Sequence, residues 1–276
     1  MGGQKESFHP KGATGPAMGS SLNKLRGLLH SLVVGSPSAA GTGGSLRAIN
    51  GEREAAGEGG WGRNRRLLAI SFLAVVAFSV LSFLILDRPL AYACSGLGKG
   101  SREFLRFVTT FGLSGWYLVP SLLLFVLFRF CSRKPALAGR ALFVFLAISL
   151  SGIVVDILKF ILGRYRPAML FHENLYGFAF FRTDALATSF PSGHAAVISA
   201  LALSLDAVWP KFRVLYALIA LLVIGSRVVT CAHFLSDVAA GAYVAVITTL
   251  AVKRFFEESR INLRYTGGST AVSTGL

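Results

Sequence analysis

Three short polar clusters, KFILGRYRP at residues 159–167, PSGH at 191–194 and SRVVTCAHFLSD at 226–237, stand in an otherwise apolar stretch of sequence. They place basic, imidazole and carboxylate groups where a membrane protein normally excludes charge. Ionisable residues inside apolar segments cost free energy and usually mark a functional site that faces a polar interior. This combination of cations, imidazoles and one carboxylate predicts a site for a phosphate group.

The composition of the whole chain indicates a membrane protein. The 276 residues are 53% hydrophobic and 15% charged, and the mean hydropathy is +0.61. A soluble domain carries about 25% charged residues. The formal net charge of +15 would suggest nucleic acid as the partner of a soluble protein, but the basic residues stand mostly at the ends of apolar runs, as in cytoplasmic anchoring. We therefore expect a lipid bilayer, and no nucleic acid, as a partner.

The apolar runs predict an all-α fold, a bundle of six transmembrane helices. A hydrocarbon core of about 30 Å needs a helix of about 20 residues, and six runs approach that length: 67–86, 112–128, 141–163, 191–209, 214–232 and 233–252. We predict a flexible cytoplasmic tail at 1–65, a six-span domain at 66–256 and a short cytoplasmic tail at 257–276. Within the first tail, leucines at helical spacing predict an amphipathic helix at 21–34 that would suit an anionic membrane surface.

The basic residues between the runs predict the orientation. Most of them fall on one side, which the positive-inside rule assigns to the cytoplasm: Arg63, Arg65, Arg66, Arg129, Arg133, Lys134, Arg140, Lys211, Arg213, Lys253, Arg254, Arg260 and Arg264. Both termini would then be cytoplasmic. The opposite side carries cations between the first two runs, where we predict a surface helix within 89–110. All three polar clusters lie where runs reach this non-cytoplasmic side, so we expect them to converge at one membrane face.

The cations are suited to the oxygens of a phosphate. Lys159 and Arg166 are two helical turns apart and share a face if the third helix continues that far, although Pro167 favours an end of the helix there. Arg227 comes from another helix. Guanidinium groups give bidentate contacts to phosphate oxygens. The alternatives are that Lys159 pairs with Asp156 and that Arg166 lies among lipid headgroups.

The PSGH cluster opens a predicted helix. The free N–H groups at a helix start bind anions, and Gly193 would let a phosphate approach the backbone closely. The hydroxyl of Ser192 adds a donor. The imidazole of His194 suits proton transfer to a leaving oxygen, since an unperturbed imidazole has a pKa of about 6.5. The alternative is that Ser192 only caps the helix and that His194 is an interfacial histidine.

His233 and Asp237 are four residues apart, so they are expected to meet on one helical face. A carboxylate bound to one imidazole nitrogen fixes the tautomer and leaves the other nitrogen as a nucleophile. A zinc site is disfavoured because no third ligand has suitable spacing and Arg227 would repel a cation. We expect neither a metal nor another cofactor.

Together the clusters resemble the three-part signature of the type 2 phosphatidic acid phosphatase superfamily, with every defining residue present: Lys159, Arg166, Pro167, Pro191, Ser192, Gly193, His194, Ser226, Arg227, His233 and Asp237. With the six-span layout, the resemblance extends over residues 67–255. It implies an integral membrane lipid phosphatase that needs no metal. It also implies that His233 attacks phosphorus and becomes a phosphohistidine, that Asp237 orients it, and that His194 protonates the leaving group. The phosphate oxygens would be bound by the remaining polar residues, Lys159, Arg166, Ser192, Gly193 and Arg227.

We therefore expect a phosphatase of the bacterial inner membrane, with its site facing the periplasm or exterior. Candidate substrates are phosphatidic acid, phosphatidylglycerol phosphate, undecaprenyl diphosphate and the phosphates of lipid A, and the aromatic loop at 169–189 would help to select among them. The nearest alternative is a phosphotransferase that passes the phosphoryl group from His233 to a second lipid or a sugar. A vanadium haloperoxidase shares the oxyanion cradle, but the six spans argue against it. A transporter or silent binding protein is disfavoured because the charges cluster at one face rather than at the midplane and both histidines are present.

Overall fold

Helices make up nearly all the secondary structure of residues 16–35 and 66–265, which the computed structural model describes. In chain order they are α1 (Pro16–Val33), α2 (Arg66–Ser95), α3 (Lys99–Thr109), α4 (Gly115–Val126), α5 (Pro135–Leu162), α6 (Pro167–Glu173), α7 (Gly193–Val208), α8 (Arg213–Val229) and α9 (Leu235–Glu258). Short π-helical and 3₁₀ segments interrupt or join them at Ser82–Leu86, Thr110–Gly112, Leu127–Cys131, Ala185–Ala187 and Pro210–Phe212. Within the two described ranges, β-structure is limited to one isolated bridge between Arg164 and Phe178. The predicted all-α class is confirmed.

Five of the six predicted spans correspond to helices long and apolar enough to cross a membrane: Arg66–Ser95, Lys99–Cys131, Pro135–Leu162, Pro210–Val229 and Leu235–Glu258. The second of these combines α3 and α4. The remaining span, predicted at 191–209, is α7, an apolar helix of 16 residues. Its length is about 24 Å at 1.5 Å per residue, which is less than a hydrocarbon core of about 30 Å. The six-span topology therefore stays a prediction.

The short helix α7 is the centre of the bundle, where it packs against α5, α8 and α9. Its small side chains, including Ala195, Ala196 and Ala200, are fully buried. Small residues let neighbouring helices approach closely in membrane bundles. The apolar side chains of α2 are different, because residues such as Leu73 and Leu84 are exposed on the outside of the bundle, where a bilayer would cover them.

The third predicted span ends close to the end of its apolar run and does not continue to Arg166. Helix α5 stops at Leu162 because Gly163 adopts a left-handed φ of 48°, a conformation that glycine accepts without steric cost. A Cβ at this position would lie 3.1 Å from the backbone nitrogen of Phe180. Arg166 is instead the extended N-cap residue of α6. Lys159 and Arg166 therefore do not share a helical face, and the turn after α5 separates them.

Two further predicted helices are present. Within 89–110, where a surface helix was predicted, residues 89–95 belong to α2 and residues 99–109 form α3, which packs against α8. Because α3 is also part of the membrane-length helix Lys99–Cys131, its surface position stays a prediction. The amphipathic segment at 21–34 forms α1, and Arg26 on this helix makes an ion pair with Glu258 at the end of α9. This ion pair places α1 at the end of the bundle that is predicted to be cytoplasmic. The predicted flexibility of the rest of the tails concerns residues 1–15, 36–65 and 266–276, which lie outside the described residues.

Gly241 on α9 faces the start of α7, and a Cβ there would overlap the carbonyl oxygen of Ser192. We expect Gly241→Ala to separate the two helices and to lower the free energy of unfolding by about 1–3 kcal/mol, the usual cost of overpacking. Gly225→Ala in α8 is the matched control, since a Cβ there meets nothing within 4 Å and alanine favours a helix. Thermal unfolding of the purified full chain in detergent measures both. Equal melting temperatures for the two variants would contradict this close approach.

Candidate active site

The three polar clusters meet near the starts of α7 and α9. The backbone N–H of Ser192 donates to the carbonyl oxygen of Asp237 at 2.9 Å, which joins the second cluster to the third. The first cluster approaches through Lys159, because a Cβ on Gly193 would lie 3.1 Å from the Nζ atom of this lysine. The structure thus places the clusters together, while the membrane face that they occupy stays a prediction.

A serine as well as the predicted carboxylate holds His233. The ring Nδ1 lies 3.2 Å from Oγ of Ser189 and 3.7 Å from Oδ2 of Asp237. Ser189 also donates to this carboxylate oxygen at 2.5 Å. His233 and Asp237 do not lie on one helical face as predicted, because α9 begins only at Leu235 and its N-cap residue is Phe234. The carboxylate reaches back instead, and its Oδ2 accepts the N–H of Phe234 at 2.9 Å.

These contacts define which ring nitrogen is free. Because Ser189 uses its proton on Asp237, its remaining lone pair accepts the Nδ1–H of His233. Nε2 then keeps its lone pair and would be the nitrogen available for attack. Sequence reasoning missed Ser189, which stands two residues before the PSGH cluster and carries no pattern that distinguishes it from an ordinary loop serine.

The surroundings of His233 favour the neutral imidazole. The residue is 3% exposed, and burial lowers its pKa to about 4, an effect that the Asp237 carboxylate opposes and that Arg166 and Arg227 reinforce. A neutral ring is a nucleophile, whereas a protonated ring is not. The site therefore keeps its imidazole ready for attack at neutral pH.

Buried donor atoms without a protein partner accompany this imidazole. Among the described residues of the site they include Nε of Arg164, Nε of Arg166, Nε of Arg227 and Oγ of Ser192. Arg227 is oriented by a hydrogen bond from its Nη1 to Oγ1 of Thr109 at 2.8 Å. Leaving a buried donor unpaired costs about 1–3 kcal/mol. A ligand with several acceptor oxygens would remove that cost.

The PSGH segment begins α7 with its hydroxyl available. Ser192 is the N-cap residue, but its side chain makes no capping hydrogen bond, so the alternative of a simple helix cap is disfavoured. His194 follows in the first turn, and its ring packs on Gly112, where a Cβ would lie 2.7 Å from Cδ2 of the histidine. The ionisable groups that act electrostatically on His194 are those of the predicted site, Arg227, His233, Lys159 and Arg166.

Lys159 has two neighbours. Its Nζ lies 3.2 Å from Oδ1 of Asp156, the pairing considered as an alternative, and the side chains of the two residues are 22% and 76% exposed. Such an exposed ion pair contributes about 0–1 kcal/mol. The ammonium group also lies against Gly193, so the pair with Asp156 does not remove it from the site.

Two charged residues behind the site were not predicted. Arg164 donates from Nη1 to Oδ1 of Asp237 at 2.5 Å and from Nη2 to Oδ2 of Asp87 at 2.8 Å. All three side chains are fully buried. The available sequence signal was charge alone, since Arg164 stands in the spacer of the first cluster and Asp87 directly follows the first apolar run.

The site is rich in cations rather than in metal ligands. Among residues 16–35 and 66–265, no group of three or more His, Cys, Asp or Glu side chains is placed to hold a metal ion. Metal independence stays a prediction that only an activity measurement can test.

A cavity of about 440 Å³ leads away from the site between α4, α5 and α7. Lys159 and His194 line its polar end, and its walls include Leu118, Ile148 and Ile153. Ile153 is 56% exposed on the outside of the bundle, so the cavity borders the outer surface of α5. Its apolar walls can accept a hydrocarbon chain beside the cations.

Comparison with known proteins supports the family resemblance that was inferred from the three polar clusters. The family model of the PAP2 superfamily matches residues 140–261. A lipid A 1-phosphatase of Rhizobium johnstonii is 30% identical over 189 residues, which cover 63% of this chain and 77% of the relative. A lipid A 1-phosphatase of Rhizobium etli is 30% identical over 186 residues, covering 64% and 79%. The crystal structure of a transmembrane PAP2-type phosphatidylglycerolphosphate phosphatase from Bacillus subtilis is 21% identical with a TM-score of 0.49, and the match covers 69% of this chain and 96% of that one.

The chain belongs to the PAP2 superfamily, which confirms the resemblance drawn from its three polar clusters. With its apolar helices it is an integral membrane protein.

Ser189→Ala should slow the hydrolysis of a phosphate monoester, because the ring of His233 loses its nearest hydrogen-bond partner. We expect kcat to fall about 10–100-fold, as for the loss of a hydrogen bond to a charged group, with little change in KM. Thr188→Ala is the matched control, since the hydroxyl of this neighbouring residue donates to the carbonyl oxygen of Asp184 at 3.1 Å. Equal kcat values for the two variants would contradict the role of Ser189.

The acid limb of kcat/KM should lie near pH 4 rather than near 6.5, because this parameter reports the free enzyme and the pKa of His233 is lowered to about 4. Activity is then kept as pH falls from 7 to 5 and is lost as His233 gains its proton. Asp237→Asn removes the charge that opposes this shift, so its limb should move to still lower pH. The substrate ionises in the same way in both assays, so the difference between the acid limbs of the variant and the wild type reports a group of the protein. Coincident limbs near pH 6.5 would show that another group controls the rate.

Proposed function

We propose that this protein is a membrane lipid phosphatase that removes phosphate from a lipid monoester through a phosphohistidine on His233. One observation carries this proposal: His194 and Lys159 line the polar end of an apolar cavity, and the imidazole of His233 and several unpaired buried donors belong to the same site. A phosphate group needs the donors, and acyl chains need the cavity. A soluble phosphate ester would have no use for the second part.

The first chemical step transfers the phosphoryl group to the protein. Nε2 of His233 attacks phosphorus, a nitrogen–phosphorus bond forms, and the bond between phosphorus and the lipid oxygen breaks. His194 gives its proton to that leaving oxygen. Ser189 and Asp237 hold the far side of the ring, where the carboxylate stabilises the positive charge that the phosphorylated imidazole acquires.

The second step returns the protein to its starting state. Water attacks phosphorus, His194 accepts a proton from this water, and the nitrogen–phosphorus bond breaks to release inorganic phosphate. In both steps Lys159, Arg166 and Arg227, with the N–H groups at the start of α7, would bind the equatorial oxygens. Uncatalysed hydrolysis of phosphate monoesters is so slow that enzymes accelerate it by up to about 10²¹. Preorganised positive charge of this kind is a large source of such rates.

Lipid A carrying a 1-phosphate is the first substrate to test. Two relatives are named as lipid A 1-phosphatases. Phosphatidic acid, phosphatidylglycerol phosphate and undecaprenyl diphosphate are the other members of the proposed class. Exposed aromatic residues in the loop at 169–189, such as Phe180 and Phe181, stand near the site and would contact the part of the lipid beyond the phosphate. The positive-inside pattern favours action at the periplasmic or exterior face.

Phosphate release from these lipids by the purified full chain in nanodiscs tests the proposal. We expect wild-type protein to release free phosphate, and to do so equally in EDTA. His233→Ala should lower the rate by about 10³-fold or more, as for loss of a nucleophile. His30→Ala is the matched control, since this histidine lies on α1 at the end of the bundle that is predicted to be cytoplasmic, and its rate should equal that of the wild type.

Three results would contradict the proposal in different ways. Turnover by His233→Ala at the wild-type rate would remove His233 as nucleophile. Loss of activity in EDTA would indicate a metal. A phosphorylated lipid or sugar acceptor without free phosphate, detected by mass spectrometry, would establish a phosphotransferase.

A further inference from the structure

Three fully buried charges form a line behind the nucleophile. The guanidinium of Arg164 lies between the carboxylates of Asp87 and Asp237, with N–O distances of 2.8 Å and 2.5 Å. None of the three belongs to the group that would bind phosphate oxygens. A buried cation between two carboxylates is costly to assemble, so its position beside the site requires an explanation.

Arg164 contacts both partners of the His233 ring. Its side chain binds Oδ1 of Asp237, which leaves Oδ2 for Ser189. Its backbone carbonyl oxygen accepts the N–H of Ser189 at 2.8 Å. One residue therefore fixes the serine through the main chain and the carboxylate through the side chain.

Asp87 fixes the other end of the guanidinium. Its two carboxylate oxygens accept hydrogen bonds from Oγ of Ser82 at 2.7 Å, from the N–H of Ser236 at 3.1 Å and from Oγ of Ser236 at 2.5 Å. Ser236 in turn accepts a hydrogen bond from Nη1 of Arg164 at 2.6 Å. Asp87 is thus held from α2 itself and from the start of α9, and it cannot follow Arg164 if the guanidinium moves.

Aromatic rings enclose the guanidinium. The carbon CZ of Arg164 lies 4.4 Å from the ring centre of Phe234, 4.9 Å from Phe83 and 5.3 Å from Tyr176. Burial opposes the charge of this guanidinium, but the carboxylates of Asp237 and Asp87 outweigh burial and raise its pKa. The cation is therefore permanent and confined to one position.

We propose that Arg164 is a positioning residue: anchored by Asp87, it fixes the two groups that orient the nucleophilic imidazole. Because it acts through His233, this role rests on the phosphatase function proposed above. The charges fit the role, since one arginine between two carboxylates leaves a single negative charge. Of the two carboxylates, Asp237 is the one that lies beside the ring of His233, which would become positive during the reaction.

Steady-state kinetics of variants at Arg164 and Asp87 shows whether Arg164 positions Asp237 or only neutralises the charge of Asp87. Arg164→Gln should lower kcat about 100-fold, as for loss of a hydrogen bond to a buried charge, with KM within about threefold of wild type. The double variant Asp87→Asn, Arg164→Gln restores the single negative charge but not the hold on Asp237, so its kcat should stay low. Recovery of wild-type kcat in the double variant would overturn the proposal, because Arg164 would then only neutralise Asp87.

Two further variants serve as reference points. Arg164→Lys keeps the charge but cannot reach both carboxylates with a planar fork, so we expect kcat about 10-fold below wild type. Full activity of this variant would contradict the need for a guanidinium group that contacts both carboxylates. Because lysine keeps the positive charge between the buried carboxylates, this substitution is also the conservative one for folding. Arg213→Gln is the matched control, since this exposed arginine pairs with Asp206 at 3.2 Å at the start of α8, the opposite end of that helix from Arg227, and it should behave as wild type.

Equilibrium binding of orthovanadate and of inorganic phosphate gives a test without any lipid. Orthovanadate gains affinity by bonding to an oriented imidazole nitrogen in the geometry of the transition state, whereas phosphate uses the cationic groups alone. Arg164→Gln should therefore weaken vanadate binding at least about 10-fold and phosphate binding by less than about threefold. Equal weakening of both ligands, or wild-type protein that binds vanadate no more tightly than phosphate, would overturn the inference. If wild-type protein released no phosphate from any lipid but showed this selective loss, the proposed function would fail and the positioning role would stand.

Discussion

An ionised side chain inside an apolar helix bundle needs a partner, because removing a charge from water costs several kcal/mol even after relaxation. This constraint divides the buried charges of the protein into two groups. The carboxylates of Asp87 and Asp237 are matched by Arg164 and by nearby hydroxyl and N–H donors. Arg166 and Arg227 each keep a buried donor atom that has no partner among the residues described. The carboxylate oxygens of the first group all accept hydrogen bonds within the protein, and only Nε of Arg164 in that group lacks a partner among the described residues. The second group would be completed by an anion.

The short central helix makes this division possible. Because α7 has only 16 residues, its first turn lies inside the bundle, where its free N–H groups can join the unpaired cations. The loop between α5 and α7 then folds back over the site, and the N–H of Ser189 meets the carbonyl oxygen of Arg164. Gly241 gives the space for Ser192 to approach α9. A longer α7 would have placed the PSGH segment at the surface of the bundle, away from the paired carboxylates.

The sequence predicted which clusters meet, because charged residues in apolar runs have few alternatives to a common polar interior. Two helix boundaries were also marked in the sequence, although the helical spacing of the polar residues suggested that the helices continue across them. Gly163 is a helix C-terminal signal, and an acidic residue three positions after Phe234 is an N-terminal one, so His233 falls outside α9. The pair of Arg164 and Asp87 could not be predicted, since the residues are 77 positions apart and helical periodicity does not encode which faces of different helices meet. The contact of Ser189 depends on the path of a loop, which local pattern does not determine.

The cavity between α4, α5 and α7 leads from Lys159 and His194 along apolar walls. Moving a hydrocarbon chain from an apolar environment into water costs about 0.8 kcal/mol per CH₂, so a chain of about 12 carbons would cost on the order of 10 kcal/mol to extract. A cavity walled by Leu118 and Ile153 would let such a chain remain in apolar surroundings while its phosphate reaches the cations. An acyl chain would then contact the apolar residues of α4 and α5, whereas the phosphate would contact Lys159 at the end of α5 and the starts of α7 and α9. The cavity walls at Leu118 and Ile153 are separate from the contacts of Ser189 and Asp237 with His233, so a change of these walls for another chain would leave the support of the ring in place.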